Sequence, residues 1–146
     1  MNLKIKLWLI LICNFQTLNP PLKMAEHNDL GKKAEELAAG FLLKNGYKIL
    51  ARNFRYQKAE IDIVAEKDNL IIICEVKARS TDVFNLPQES VNKKKIKLLV
   101  SAADYYLKEF NVTKEVRFDI ISILPDKKEN LLIEHIQDAF EAFDAN

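Results

Sequence analysis

Asp62, Glu75 and Lys77 are charged side chains set inside the most apolar part of a 146-residue chain. They lie in "AEIDIVAEKDNLIIICEVKAR", Ala59 to Arg79, where "EKDN", Glu66 to Asn69, reads as a turn between two strands. Residues two apart on a strand share a face, so Glu75 and Lys77 project together while Cys74 and Val76 point to the other side. If the segments form a tight hairpin around "EKDN", the end of the second lies beside the start of the first. Asp62 and Glu75 are then cross-strand neighbours. Two such carboxylates repel, and burying either one unpaired costs several kcal/mol. A divalent cation resolves the conflict. Mg²⁺ takes hard oxygen ligands and needs only one or two protein carboxylates beside water and substrate phosphate. Lys77, on the same face, can orient or deprotonate a water, or neutralise charge on an attacked phosphate. By itself a Glu-x-Lys pair on a strand is more often just a solvated ladder of opposite charges.

A third acid can come from an earlier helix. Leu30–Asn45 places Leu30, Ala34, Leu37, Ala38, Phe41 and Leu42 on one stripe. Asn28 or Asp29 is placed to cap its start, and Gly46 suits its end. At about 100° per residue, Glu35 falls at the rim of that stripe and Glu36 points to solvent.

The remaining elements follow from periodicity. Tyr47–Phe54 and Glu60–Glu66 alternate as strands, with Ile61, Ile63 and Ala65 on one face and Glu60, Asp62 and Val64 on the other. Leu70–Lys77 is a strand buried on both faces. Ser80–Gln88 is a loop closed by Pro87, and Asn92–Phe110 is an amphipathic helix. Glu115–Leu124 and Leu131–Ile136 are strands, and Gln137–Phe143 is expected to be a short helix. The order is α-β-β-β-α-β with a β extension, an α/β fold with a mixed sheet flanked by helices.

Basic residues cluster near the acids in sequence. Lys93, Lys94, Lys95 and Lys97 open the second long helix, where cations oppose the macrodipole unless an anion binds there. Arg52, Arg55 and Lys58 precede the acidic motif and Arg79 follows it. Lysines at a helix start are equally a soluble face. Tyr47, Phe54 and Tyr56 are near these basics, but aromatics at strand positions are core more often than base-stacking platforms. Arg117 and Asp119 flank Phe118, and read as a structural ion pair at a sheet edge.

Bulk properties leave these readings open. The net charge of +1 neither demands nor excludes nucleic acid. The 2 cysteines, Cys13 and Cys74, offer no disulfide framework or metal pair, which fits a reducing compartment, the cytoplasm. His27 and His135 have no zinc-ligand spacing and read as ordinary surface or strand positions. Residues 1–23 form a leader: two lysines and a short apolar run resemble a signal segment, but no small-residue cleavage site follows and the run is too short to span a membrane. Met24 is the alternative start, and residues 24–146 read as one complete domain.

Asp62-x12-Glu75-x-Lys77, set in α-β-β-β-α-β, resembles the PD-(D/E)xK signature of the restriction-endonuclease-like superfamily. More narrowly, "AEELAAGFLLKNGYKILARNFR", "EIDIVA", "CEVKAR", "PQESVNKKK" and "RFDI" resemble the YraN family of small bacterial proteins with an endonuclease-like fold. The resemblance implies that Asp62 and Glu75 bind Mg²⁺ or Mn²⁺, that Lys77 is catalytic, and that Glu35 is an auxiliary acid. It departs at Ala34 and Ala59, where the family commonly has Gly. Ala59 matters if its turn needs positive φ. The expected function is a metal-dependent endonuclease acting on DNA, with branched or single-stranded DNA as the analogous substrate. Arg52, Arg55, Arg79, Lys93, Lys94 and Lys97 would grip the backbone. The alternatives are a non-catalytic nucleic-acid-binding module and an accessory protein acting through a partner. A homodimer fits a small fold that must span two strands.

Overall fold

The computed structural model describes residues 16–18, 27–79, 91–125 and 131–145. Its elements are β1 (Gln16–Leu18), α1 (His27–Lys44), β2 (Lys48–Tyr56), β3 (Ala59–Lys67), β4 (Leu70–Ala78), α2 (Lys93–Glu109), β5 (Glu115–Pro125) and β6 (Leu131–Phe140), then a 3-10 turn at Ala142–Ala145. One sheet runs in the order β1-β6-β5-β4-β3-β2. β2, β3 and β4 are an antiparallel meander; β4 and β5 are parallel, joined by the crossover that contains α2; β5 and β6 are antiparallel. This is the mixed α/β sheet with an α-β-β-β-α-β core that periodicity predicts. The three residues of β1, within the stretch read as leader, lie along Leu131–Ile133.

The helices cover opposite faces, and each apolar stripe finds its own side. Ala34, Ala38, Phe41 and Leu42 of α1 pack on Ile63, Ala65, Ile72, Cys74, Ile121, Ile123 and Ile133. Ile96, Leu99, Ala102, Ala103 and Tyr106 of α2 pack on Ile61, Val64, Ile71, Ile73 and Ile120. β4 therefore alternates between two dry layers, which is why its sequence is a continuous apolar run. Cys74 is a free, buried core thiol, as its setting implies.

Turn chemistry sets the hairpins. Lys67 pairs with Leu70 across Asp68 and Asn69, at φ 51° and 63°. Asp and Asn tolerate this left-handed region and suit a two-residue turn whose twist matches the strands. Tyr56 pairs with Ala59, and the positive φ of that turn falls on Gln57 at 53°. Ala59 needs no left-handed backbone, so the departure there from glycine is harmless. Gly46 follows α1 at φ 81°, the left-handed position that ends a helix.

Three expectations need correction. α1 begins at His27, so Asn28 and Asp29 are already helical and neither is the cap. The strict alternation expected for β3 fails: Ile61 packs with the α2 layer, whereas Ile63 and Ala65 pack with the α1 layer. The change of face falls at Asp62, opposite Asn53 of β2, which has φ 50° and interrupts the pairing between Arg52–Ile63 and Phe54–Ile61. Finally, Gln137–Phe140 is strand, not helix. A bulge there, with Asp138 at φ 53°, keeps Phe140 paired with Phe118. Asp119 Oδ1 holds it by accepting the Asp138 backbone N–H at 3.0 Å.

Candidate active site

Asp62 and Glu75 meet where β3 and β4 part. The ladder runs from Lys67–Leu70 to Ile63–Cys74, and its next positions are Asp62 and Glu75. There the side chain replaces the backbone: Asp62 Oδ2 accepts the Val76 N–H at 2.7 Å. That bond satisfies a donor that β3 would otherwise have paired, and it locks the carboxylate beside Glu75.

Glu75 continues the Ile71–Ile73 side of β4 and faces α2. It is 3% exposed and meets two ammonium groups: Lys77 Nζ at 2.7 Å from Oε1, and Lys95 Nζ at 3.1 Å from Oε2. The Lys95 contact is not aligned as a hydrogen bond, so buried Oε2 has an ion-pair partner but no hydrogen-bond donor. Glu75 and Lys77 share a face, as their spacing requires, while Val76 packs in the other layer. The apolar strand can end in charges because the acid stays within the core layer while two lysines reach it from the rim.

Electrostatics follows from this packing. Burial and then the neighbouring Glu75 carboxylate raise the Asp62 carboxyl, the Val76 N–H and Lys95 pull against them, and the balance leaves it at about 7. Glu35 adds a smaller upward push, so α1 contributes to the same field. Glu35 is half-buried while Glu36 is exposed, as the helical rim position predicts. Asn53 Nδ2 donates to Glu35 Oε2 at 2.7 Å, fixing the acid against the sheet edge.

Among the described residues, no three His, Cys, Asp or Glu side chains stand close enough to form a metal-ligand cluster by themselves. The two-carboxylate pair still fits a hard cation that completes its shell with water and phosphate. Its donors are oxygens, and one buried oxygen lacks a hydrogen-bond donor.

The basic residues do not share one surface. Lys93, Lys94 and Lys97 are exposed around the start of α2, the turn from which Lys95 reaches Glu75. Asn92 caps this helix, its side chain accepting the Lys95 N–H at 2.9 Å. Arg79 follows β4 on its Glu75–Lys77 side, and its N–H bonds Ile123 O at 2.8 Å. Arg52 pairs with Ile63 of the α1 layer, and Arg55 alternates with Phe54 of the α2 layer, so both face the α1 side. Arg55 pairs with Glu60 at 3.2 Å on the surface.

Sequence spacing also left contacts unread. Lys95 stands out from its lysine neighbours because it lies four residues before Leu99 and seven before Ala102, on the buried stripe of α2. Asn53 had no signal beyond its tolerance of positive φ. Asp119 and Arg117 are an ion pair as expected, but β5 lies inside the sheet, so they are not at an edge. Asp119 is fully buried; Arg117 grips both its oxygens at 2.8 Å, and His135 Nε2 meets Oδ2 at 2.8 Å. Tyr47 OH accepts from Arg117 and from Gln137, each at 3.2 Å, so Tyr47 is part of this network. Phe54 and Tyr56 pack against the aromatics of α2: Tyr56 stacks on Tyr105 at 4.1 Å, and Phe54 meets Tyr106 edge-on at 5.1 Å.

No helix among the described residues is long and apolar enough to cross a membrane. The pattern of the Uncharacterised protein family UPF0102 matches residues 34–123. A UPF0102 protein of Christiangramia forsetii is 53% identical over 120 residues, covering 82% of this chain and 100% of its own. UPF0102 protein FP2501 of Flavobacterium psychrophilum is 51% identical over 120 residues, with the same coverage. Among solved structures, SfsA of Pyrococcus furiosus in complex with Ca²⁺ gives a TM-score of 0.31 at 13% identity, covering 77% of this chain. The match spans 64% of that protein, less than two thirds of its length. With its pattern matched from Ala34 to Ile123 and whole relatives aligned at half identity, the chain belongs to the UPF0102 family, the family its YraN-like motifs point to.

Proposed function

We propose that this protein is a metal-dependent phosphodiesterase that cleaves DNA. The observation that carries this reading is the meeting of Asp62 with a buried Glu75 that two lysines flank. A structural ion pair needs one lysine and no second, half-buried acid beside it. Asp62 and Glu75 would hold Mg²⁺ or Mn²⁺, which, when bound, would polarise the phosphate and lower the pKa of its water.

The chain's own groups supply the remaining tasks. The Val76 N–H orients Asp62. Lys77, anchored on Glu75 and 29% exposed at its side chain, faces outward enough to orient water and to meet phosphoryl charge. Hydrolysis then forms a bond from water oxygen to phosphorus and breaks the bond from phosphorus to the leaving sugar oxygen. Glu35, held by Asn53, contributes negative charge at the α1 side. Lys93, Lys94 and Lys97, exposed at the start of α2, would hold the DNA backbone, with Arg79 on the Glu75–Lys77 side of β4. Arg52 and Arg55 face the other layer, so contact with them requires DNA that wraps the β2 edge. That geometry favours flexible, branched or single-stranded substrates over a straight duplex.

The test is a cleavage panel of duplex, single-stranded, flap and four-way DNA with Mg²⁺ or Mn²⁺, with Lys77→Ala alongside. Cleavage that needs metal and vanishes in the variant supports the reading. Salt-sensitive binding without cleavage of any substrate supports a second reading, a nucleic-acid-binding module. Binding only in the presence of another protein would mark an accessory role, and sedimentation with and without DNA would test for a homodimer.

A further inference from the structure

Glu75 has more positive charge beside it than one carboxylate needs. Lys77 reaches Oε1 from the same strand at 2.7 Å, and Lys95 reaches Oε2 from α2 at 3.1 Å. The two contacts differ in kind. Lys77 sits two residues along the strand and shares the face by construction. Lys95 lies in the first turn of α2, three residues after the Asn92 cap and with no acid in that turn. A cation there is opposed by the helix macrodipole. What draws Lys95 inward is Glu75, against the dipole and without hydrogen-bond alignment. Its side chain remains 31% exposed, so the same stem can swing the ammonium out to solvent.

We propose that Lys95 is a counter-ion switch: its ammonium occupies the positive position at Glu75 Oε2 in the DNA-free protein, and leaves it for a DNA phosphate when a divalent cation enters. The inference rests on the metal-dependent reading above and specifies how that site is regulated. Three cationic groups cannot crowd one buried carboxylate, because like charges at contact distance repel strongly where water is scarce. One lysine must therefore withdraw, and Lys95 is the less firmly held. A phosphate at the start of α2 offers it a new partner, among exposed Lys93, Lys94 and Lys97. Lys95 is thus a positioning residue that couples two ligands. Linkage then requires DNA to tighten the metal and the metal to tighten DNA by the same factor.

The experiment measures Mn²⁺ affinity from the electron paramagnetic resonance signal of free Mn²⁺, using the full chain. It compares the wild type, Lys95→Met and Lys95→Arg, each with and without a single-stranded phosphorothioate oligonucleotide that resists cleavage. We expect Lys95→Met without DNA to bind Mn²⁺ at least tenfold more tightly than wild type. DNA should tighten Mn²⁺ binding in wild type and Lys95→Arg, and do so far less in Lys95→Met. Lys95→Gln, which keeps a polar side chain, should repeat the Met result if the effect is charge and not packing. Unchanged or weaker Mn²⁺ binding in both neutral variants overturns the inference, as does an equal DNA effect in all forms. If wild type still cleaves DNA in that case, the nuclease reading stands and only the switch is lost. Absence of Mn²⁺ uptake by every form, with and without DNA, overturns both.

Discussion

Asp62 Oδ2 accepts the backbone N–H of Val76 at 2.7 Å, at the position where β3 and β4 stop pairing as strands. This one bond ties the acid to the strand that carries Glu75 and Lys77. It also explains why Asp62 is tolerated in an apolar strand: it satisfies a backbone donor that the parting ladder leaves behind. The same location makes its ionisation unfavourable, because burial and Glu75 both act against the charge.

A pH dependence follows from that conflict. Asp62 is raised from 3.8 to about 7 in the folded protein. Between these values the folded state holds a proton that the unfolded state has released, so this contribution to stability falls as pH rises. It is fully present below pH about 4 and gone above about 7. Asp62→Asn removes the charge, and should raise stability at pH 8 relative to wild type by roughly 2–4 kcal/mol, less any loss at the Val76 bond. The gain should shrink toward zero near pH 4. Urea denaturation of both proteins across pH 4–8 checks this. A constant difference between them would mean that Asp62 is ionised without cost.

Asp119 gives a slope of the opposite sign. Burial acts to raise its pKa, but hydrogen bonds from His135 and Arg117 outweigh it and hold the carboxyl below its ordinary value. Its contribution is therefore present above pH about 4 and is lost as pH falls through the lower folded-state value. Asp119→Ala should cost about 3–5 kcal/mol, because it strands the Arg117 guanidinium and frees the Asp138 N–H in the β6 bulge. Asp119→Asn, which keeps an acceptor for Asp138, should cost less. Thermal and urea unfolding at pH 7 distinguish the two, and an unaffected Ala variant would show the network to be dispensable.

These acids also show what could be read from sequence and what could not. Glu75 and Lys77 were legible because a strand repeats every two residues, whatever surrounds it. Asp62 was placed opposite Glu75 by the turn signal "EKDN", Glu66 to Asn69, which the structure narrows to Asp68 and Asn69. Its role in ending the ladder was not legible, since it depends on a change of face opposite Asn53. The strict alternation expected for β3 breaks at that point. Lys95 needed both the register of α2 and its seat on the sheet, although its spacing from Leu99 was present all along. The Asp119–His135 contact joins β5 to β6 through a bulge, and no single-segment periodicity contains it. The same bulge kept Gln137–Phe140 in the sheet where a helix was expected.

Gly46 offers a test of backbone geometry without side-chain chemistry. It adopts φ 81°, and a Cβ added there would meet nothing within 4 Å. Gly46→Ala should therefore destabilise by about 1–2 kcal/mol through the left-handed conformation alone. Gly46→Asn should recover part of that loss, because Asn tolerates this region better. Chemical denaturation of the three proteins checks the order. Equal stabilities would mean that the α1–β2 connection relaxes to another conformation.

Glu75→Gln tests the proposed chemistry most directly, because it preserves shape while removing charge. Gln can still accept from Lys77, but it lacks the negative charge that would hold a divalent cation and draw Lys95 inward. Cleavage should fall by about 10²-fold or more, the scale expected when a principal electrostatic group of a site is lost. DNA binding should change by no more than about threefold, because the exposed lysines of α2 are untouched and their contacts depend mainly on phosphate charge. Initial cleavage rates and fluorescence anisotropy, measured on the same preparation and at one salt concentration, supply both numbers. A variant that cleaves at the wild-type rate places the reacting phosphate elsewhere. A variant that loses binding and cleavage together shows instead that Glu75 orders the DNA-binding surface, with Lys95 as the connection between them.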